Sequence, residues 1–173
     1  MRRLMLLVAL AGSLTASPAI AQSGSLTGYW QGKYDCAQGI TGVTITIREA
    51  ADSGAEGLFL FYAVPENPGV PTGCYRLQGR YDPGSREVRL SSDDSQWLWR
   101  PPTYVTVNFV GKMEGFGSRM RGLVKGPGCS AFFLERVPSA PPAPEPCVRA
   151  MNLSRSDVPV RPVSMLQSER GLR

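Results

Sequence analysis

The chain has 173 residues, four cysteines and no histidine, with 19 Lys and Arg against 14 Asp and Glu. The missing histidine excludes a Ser-His-Asp or Cys-His catalytic arrangement. The length is that of one domain.

Met1-Arg2-Arg3 is a short basic start, followed by an apolar run over residues 4–11 and small residues at Ala19-Ile20-Ala21. That is the pattern of a secretory signal peptide over residues 1–21, cut before Gln22, and it predicts a periplasmic or secreted protein. No cysteine sits at the cut, so lipid attachment there is not expected. What remains carries seventeen basic and fourteen acidic side chains, and residues 22–137 carry twelve and eleven. The body is nearly neutral, and the sequence pI of about 9.3 overstates its basicity. No basic stripe suits nucleic acid. Net charge does not argue for a membrane surface, and an integral membrane protein is not expected.

Residues 22–137 read as strands. Residues 29–35 open the series, and residues 41–47 alternate β-branched apolar side chains with Thr, the period-two signature. Residues 58–64 are apolar on both faces, which predicts a doubly covered strand. Residues 75–81 alternate again, and a short strand around Val88 and Leu90 follows the turn Asp82-Pro83-Gly84-Ser85. Residues 103–110, 118–124 and 130–137 complete eight. Every connection is short, which favours an up-and-down order. An eight-stranded antiparallel meander closes into a barrel and so removes both edges. The predicted class is therefore all-β. Trp30, Tyr34, Phe61, Tyr75, Tyr81 and Phe133 are bulky enough to fill such a barrel.

Cys36, Cys74, Cys129 and Cys147 include no CxxC pair, so a zinc site is not expected. Export favours two disulfides, and four cysteines allow three pairings.

Gly28-Tyr29-Trp30 resembles the Gly-x-Trp motif that opens the barrel of lipocalins, and Arg136 resembles the arginine that packs on that tryptophan. The resemblance, over roughly residues 26–137, is to the calycin superfamily of lipocalin-like and avidin-like barrels. It implies structural roles for Trp30 and Arg136. The chain is shorter than a lipocalin and has no clear helix after the barrel. With first and last strands antiparallel at the closing seam, Trp30 meets Arg136 at one end, where indole and guanidinium stack. Cys36 meets Cys129 at the other, and Cys74–Cys147 follows by subtraction.

Two long loops gather at the Cys36 end, over residues 65–73 and 91–102. Long loops on a rigid scaffold are where binding usually sits. Trp97 and Trp99 are expected on one face of the second loop, with Leu98 opposite. They either pack under the loop or form an aromatic platform with Arg100, Tyr104 and Asn67 as polar contacts. The expected function is a non-catalytic, cofactor-free barrel that binds a small apolar ligand or an envelope partner at this end. A barrel with a filled core, acting through protein contacts or as an inhibitor, is the alternative. Tyr34-Asp35-Cys36 is similar to the start of C-type lysozyme inhibitors, a third reading. Asp93-Asp94 and Glu66 are more naturally turn formers than paired catalytic carboxylates.

Residues 138–147 form a proline-rich linker, expected to be extended and non-helical, which carries Cys147 to its bridge. Residues 148–173 read as a flexible tail, with a short helix fitting residues 164–169.

Overall fold

The computed structural model describes residues 24–49 and 54–148. The expected signal peptide over residues 1–21 and nearly all of the expected tail, including residues 164–169, lie outside the described residues.

The strands are β1 (Gly28–Cys36), β2 (Gly39–Glu49), β3 (Gly54–Tyr62), β4 (Gly73–Asp82), β5 (Glu87–Ser91), β6 (Trp97–Trp99), β7 (Asn108–Glu114), β8 (Arg119–Lys125) and β9 (Ala131–Val137). Neighbours pair antiparallel in chain order, with β5 against β7, and β9 returns to β1. The result is a closed eight-stranded barrel plus one additional strand. At the seam Trp30 pairs with Arg136 and Tyr34 with Phe132.

The additional strand, β6, prolongs β5. Both pair with the same edge of β4, since β3 occupies the other edge opposite Cys74 and Tyr75. Residues 92–96 leave the sheet as a bulge with a 3₁₀ turn at Asp94–Gln96, and Trp97–Trp99 rejoin it.

The strand expected over residues 103–110 forms only from Asn108. Pro101 and Pro102 lack the N–H a ladder needs, and Thr103 has a φ of 68°. The Tyr75 phenol stands in for the missing neighbour. Its oxygen accepts from Val107 N at 3.2 Å and its proton goes to Val107 O at 3.3 Å.

Side-chain alternation fills the barrel. The Phe59 ring centre lies 4.6 Å from Tyr75, 5.4 Å from Phe109 and 5.7 Å from Tyr34. Phe109 in turn meets Phe132 edge-on at 5.0 Å. Two expected fillers differ. Phe133 points outward and is 45% exposed, because the seam register turns Phe132 and Leu134 inward. Tyr81 is only partly buried, being near the end of β4.

β3 is covered on both faces. Phe59 and Phe61 face the interior, while Leu58 and Leu60 form a second cluster with Cys74, Cys147, Tyr62, Leu98 and Ala143. The proline-rich segment is the outer cover, held by the Cys74–Cys147 bridge. Contrary to the expected wholly extended linker, residues 145–148 make one helical turn, with Cys147 N and Val148 N donating to Pro144 O at 2.9 and 3.0 Å. Pro146 is tolerated there because the first turn of a helix leaves its N–H groups unused.

Cys36–Cys129 ties the seam, and both cysteine pairs are bonded. At the other end Trp30 is fully buried, its Nε1 donating to Leu26 O at 2.9 Å. The Arg136 guanidinium lies 4.2 Å over the indole and donates to the carbonyls of Gly117, Thr27 and Ser25. Gly28 is needed because Arg136 Nη1 stands 2.5 Å from where a Cβ would be, and its φ is 141°. The Gly-x-Trp spacing thus has a local cause.

Replacing Trp30 by Ala is expected to cost about 3–5 kcal/mol by denaturant titration, as for a fully buried large aromatic. A variant with the parent melting temperature would show that the indole does not anchor this end. Reduction of the two bridges should lower stability by about 2–5 kcal/mol for each, read from melts with and without reductant.

Candidate functional site

The end at Cys36 is open. A pocket of about 360 Å³ lies there, between the aromatic interior and the segment that links β6 to β7. Tyr34, Phe61 and Tyr75 form its floor. The Cys36–Cys129 bridge, Ala37, Gln38 and Pro127 form one side, and Thr103, Tyr104, Val105 and Val107 the other.

Each wall has a local origin. The β1–β2 hairpin closes in two residues, Ala37 and Gln38, with Gly39 taking a φ of 85°. Asn67 clasps this hairpin from the β3–β4 loop, its Nδ2 donating to Gln38 O at 2.6 Å. Gln38 Nε2 then donates to the Tyr34 hydroxyl at 3.1 Å and lies 3.2 Å from Thr41 Oγ1. Opposite, Tyr104 stacks on Phe61 with ring centres 5.3 Å apart and planes 13° apart.

The segment carrying Tyr104 is held by Asp94. This carboxylate accepts from Thr106 N and Oγ1 at 3.4 Å and pairs with Arg100 Nη2 at 3.1 Å. Arg100 Nε donates to Tyr104 O at 2.8 Å, closing the clasp. The Thr106 amide is the main influence holding the Asp94 carboxyl below the usual aspartate value, with Arg100 and the Trp97 indole adding to it. Trp97 Nε1 is buried and reaches no partner with hydrogen-bonding geometry among the described residues.

No lining side chain is charged. Burial pushes the Tyr34 phenol well up, the nearby Tyr104 phenol pushes it further, and hydrogen bonds from Thr41 and Gln38 offset part of this. Burial likewise raises Tyr75, and to a smaller degree Tyr104. All three phenols are neutral at physiological pH. The pocket is therefore an apolar recess with a few hydrogen-bonding groups, of the size that takes a small molecule.

The five residues singled out from sequence separate here. Tyr104 lines the pocket. Trp97 packs inward, edge-on to Tyr75 at 4.9 Å and Phe61 at 6.1 Å, while Leu98 joins the outer cluster, so the expected alternation holds for these two. Trp99 is 42% exposed. Arg100 lies 5.6 Å over the Trp97 ring and belongs to the clasp, and Asn67 positions Gln38 from behind. Tyr34, Gln38, Phe61, Tyr75 and Val107 were missed as lining residues. Strand alternation marks several of them as interior, but only the arrest of β7 at Asn108 opens a space beside them.

The other two acids singled out from sequence, Asp93 and Glu66, have structural partners. Asp93 accepts from Ser95 N at 2.8 Å and caps the 3₁₀ turn, and Glu66 pairs with Lys33 at 2.6 Å. Among the described residues no helix is long and apolar enough to cross a membrane. Comparison with protein-family models, curated proteins and solved structures returns no match.

Trp97→Ala should lower stability by about 2–4 kcal/mol as a packed aromatic, against about 0.5 kcal/mol or less for Trp99→Ala. Equal effects on the melting temperature would contradict this division. The Asp94 clasp carries a sign in pH. A depressed folded value stabilises above the ordinary value of 3.8, and the benefit is lost as pH falls through the folded value. Asp94→Asn should therefore melt lower than the parent at pH 6, with the gap closing below pH 3.8. A gap independent of pH would mean that the charge does not hold the segment.

Proposed function

We propose that this is an exported, non-catalytic, calycin-like barrel that binds a small, uncharged, amphipathic molecule in its mouth pocket. The observation that carries this reading is a recess of about 360 Å³ whose lining bears no charge. A ligand charge buried there would have no counter-charge, and such burial is costly. Tyr104 and Phe61 offer stacked faces to a flat apolar ligand, and Gln38 and Tyr34 offer hydrogen bonds to a single polar group. The Cys36–Cys129 bridge holds one wall, which reduces the ordering cost of binding. Two disulfides fit an oxidising compartment, and with the sequence pattern of residues 1–21 they support a periplasmic or secreted location.

A second reading, a barrel that binds a protein or envelope component through its mouth, draws on the packed interior. It also draws on the exposure of Ile40, Trp99 and Val105. A third reading, a C-type lysozyme inhibitor-like protein, rests on the tripeptide Tyr34-Asp35-Cys36, in which Tyr34 is a core aromatic and Cys36 a bridge residue.

Fluorescence titration with N-phenylnaphthylamine, a neutral apolar probe, tests the proposal. Enhancement is expected, with Tyr104→Ala binding about fivefold more weakly at a near-unchanged melting temperature. The sulfonated analogue anilinonaphthalenesulfonate should bind about tenfold more weakly than the neutral probe. Equal binding of the two probes would overturn the uncharged-ligand reading. No enhancement, with no small molecule released on denaturing the purified protein, would shift the function to partner binding.

A further inference from the structure

The end opposite the mouth presents an aromatic residue that the fold does not use. Phe116, in the β7–β8 turn, is fully exposed, and its φ is 56°. The left-handed region is costly for a bulky side chain, and an exposed ring has no core contact to offset that cost. The turn is nonetheless held firmly. Arg136 Nε donates to Gly117 O at 2.9 Å, Ser118 N donates to Gly115 O at 3.2 Å, and Gly24 packs on Gly117.

The neighbouring β4–β5 turn presents a cation in the same way. Arg86 is exposed with a φ of 59°, and its carbonyl accepts from Met113 N at 2.9 Å, which ties it to the end of β7. Arg119 follows the Phe116 turn, its guanidinium against Gly115. Neither arginine side chain has an ion-pair or hydrogen-bond partner among the described residues.

The carboxylates of this end are mostly occupied. Glu49 accepts from Leu26 N and Ser25 Oγ, and Asp82 caps its own turn. Glu87 pairs with Arg89 and Glu114 with Arg121. Glu135 lies across from Arg119 in register without pairing to it, and Arg48 and Glu56 stand opposite each other on β2 and β3. Glu49 and Asp82 keep their charge, and Arg48, Arg80 and Lys112 also lack an ion pair among the described residues. What sets this tip apart is that two such cations, Arg86 and Arg119, lie on the turns beside an exposed ring.

We propose that this end docks on an anionic lipid membrane. Phe116 inserts at the level of the headgroups and upper acyl chains, and Arg86 and Arg119 meet the phosphates. The occupant follows from area and charge. One ring buries about 150–250 Å², whereas a stable protein interface needs about 800 Å² from each partner. An apolar tip flanked by cations is the combination that holds a protein at a lipid interface. Docking here leaves the mouth pocket at the far end facing away from the bilayer.

Co-sedimentation of the exported chain, Gln22 to Arg173, with phosphatidylglycerol-containing vesicles tests this, with pure phosphatidylcholine vesicles as control. Binding is expected to the anionic vesicles and to weaken with salt. Phe116→Gly should bind about tenfold more weakly, with a melting temperature unchanged or raised, because glycine takes positive φ without strain. Arg86→Gly with Arg119→Gln should lose about fivefold for each charge. Undiminished binding by Phe116→Gly overturns the proposal, as does equal binding to both vesicle types. A large fall in melting temperature for Phe116→Gly also overturns it, by making the ring a packing residue. No vesicle binding by the unsubstituted chain overturns it and leaves Phe116 to a protein partner.

Discussion

The guanidinium of Arg136 stacked on the indole of Trp30 is the contact on which one whole end of the barrel depends. A single planar cation lies on a buried ring and satisfies carbonyls from two other segments, the chain before β1 and the β7–β8 turn. Arginine suits this position because its donors fan out in one plane while the face of that plane stacks. The first strand, the last strand and the turn beside them are thereby fixed together without a covalent link. The other end of the same seam has the covalent link instead, at Cys36–Cys129. Holding both ends of the closing seam prevents the edges from opening, and an open edge is the main liability of any sheet.

Between these fixed ends the interior is divided unequally. From Trp30 to Phe59 aromatic and branched side chains pack into one buried cluster, and the second cluster buries the outside of β3 and β4 beneath the disulfide-held strap. The mouth pocket opens where regular pairing stops. The wall between β6 and β7 is irregular, and side chains there take over from backbone. The Tyr75 phenol serves both backbone groups of Val107, and the Asp94 carboxylate serves the Thr106 amide. A pocket wall made this way moves by breaking side-chain bonds and not a ladder. Local openings of that kind cost less than disruption of core strands.

The strand pattern, both disulfide pairings and the Trp30–Arg136 stack were legible in the sequence. The strands follow from short-range alternation, the stack and Cys36–Cys129 from the antiparallel order of first and last strands, and Cys74–Cys147 by elimination, none of which requires knowledge of side-chain packing at a distance. The doubly apolar run of β3 also read correctly, because a strand covered on both faces loses its alternation whatever does the covering.

What only the tertiary structure decided is of another kind. Residues 103–107 alternate like a strand yet do not pair, since adjacent prolines and the left-handed Thr103 turn the chain aside and Tyr75 satisfies it. Phe132 and Phe133 are identical as residues, and the register at the seam alone sends one inside and the other out. Trp97 and Trp99 look equivalent two positions apart, but β6 is the prolongation of β5, so one meets Tyr75 and Phe61 while the other stands clear. Local composition determines most of the segments that form strands. The pocket and the exposed Phe116 arise where strands stop, and stopping points depend on which distant groups arrive to satisfy the backbone.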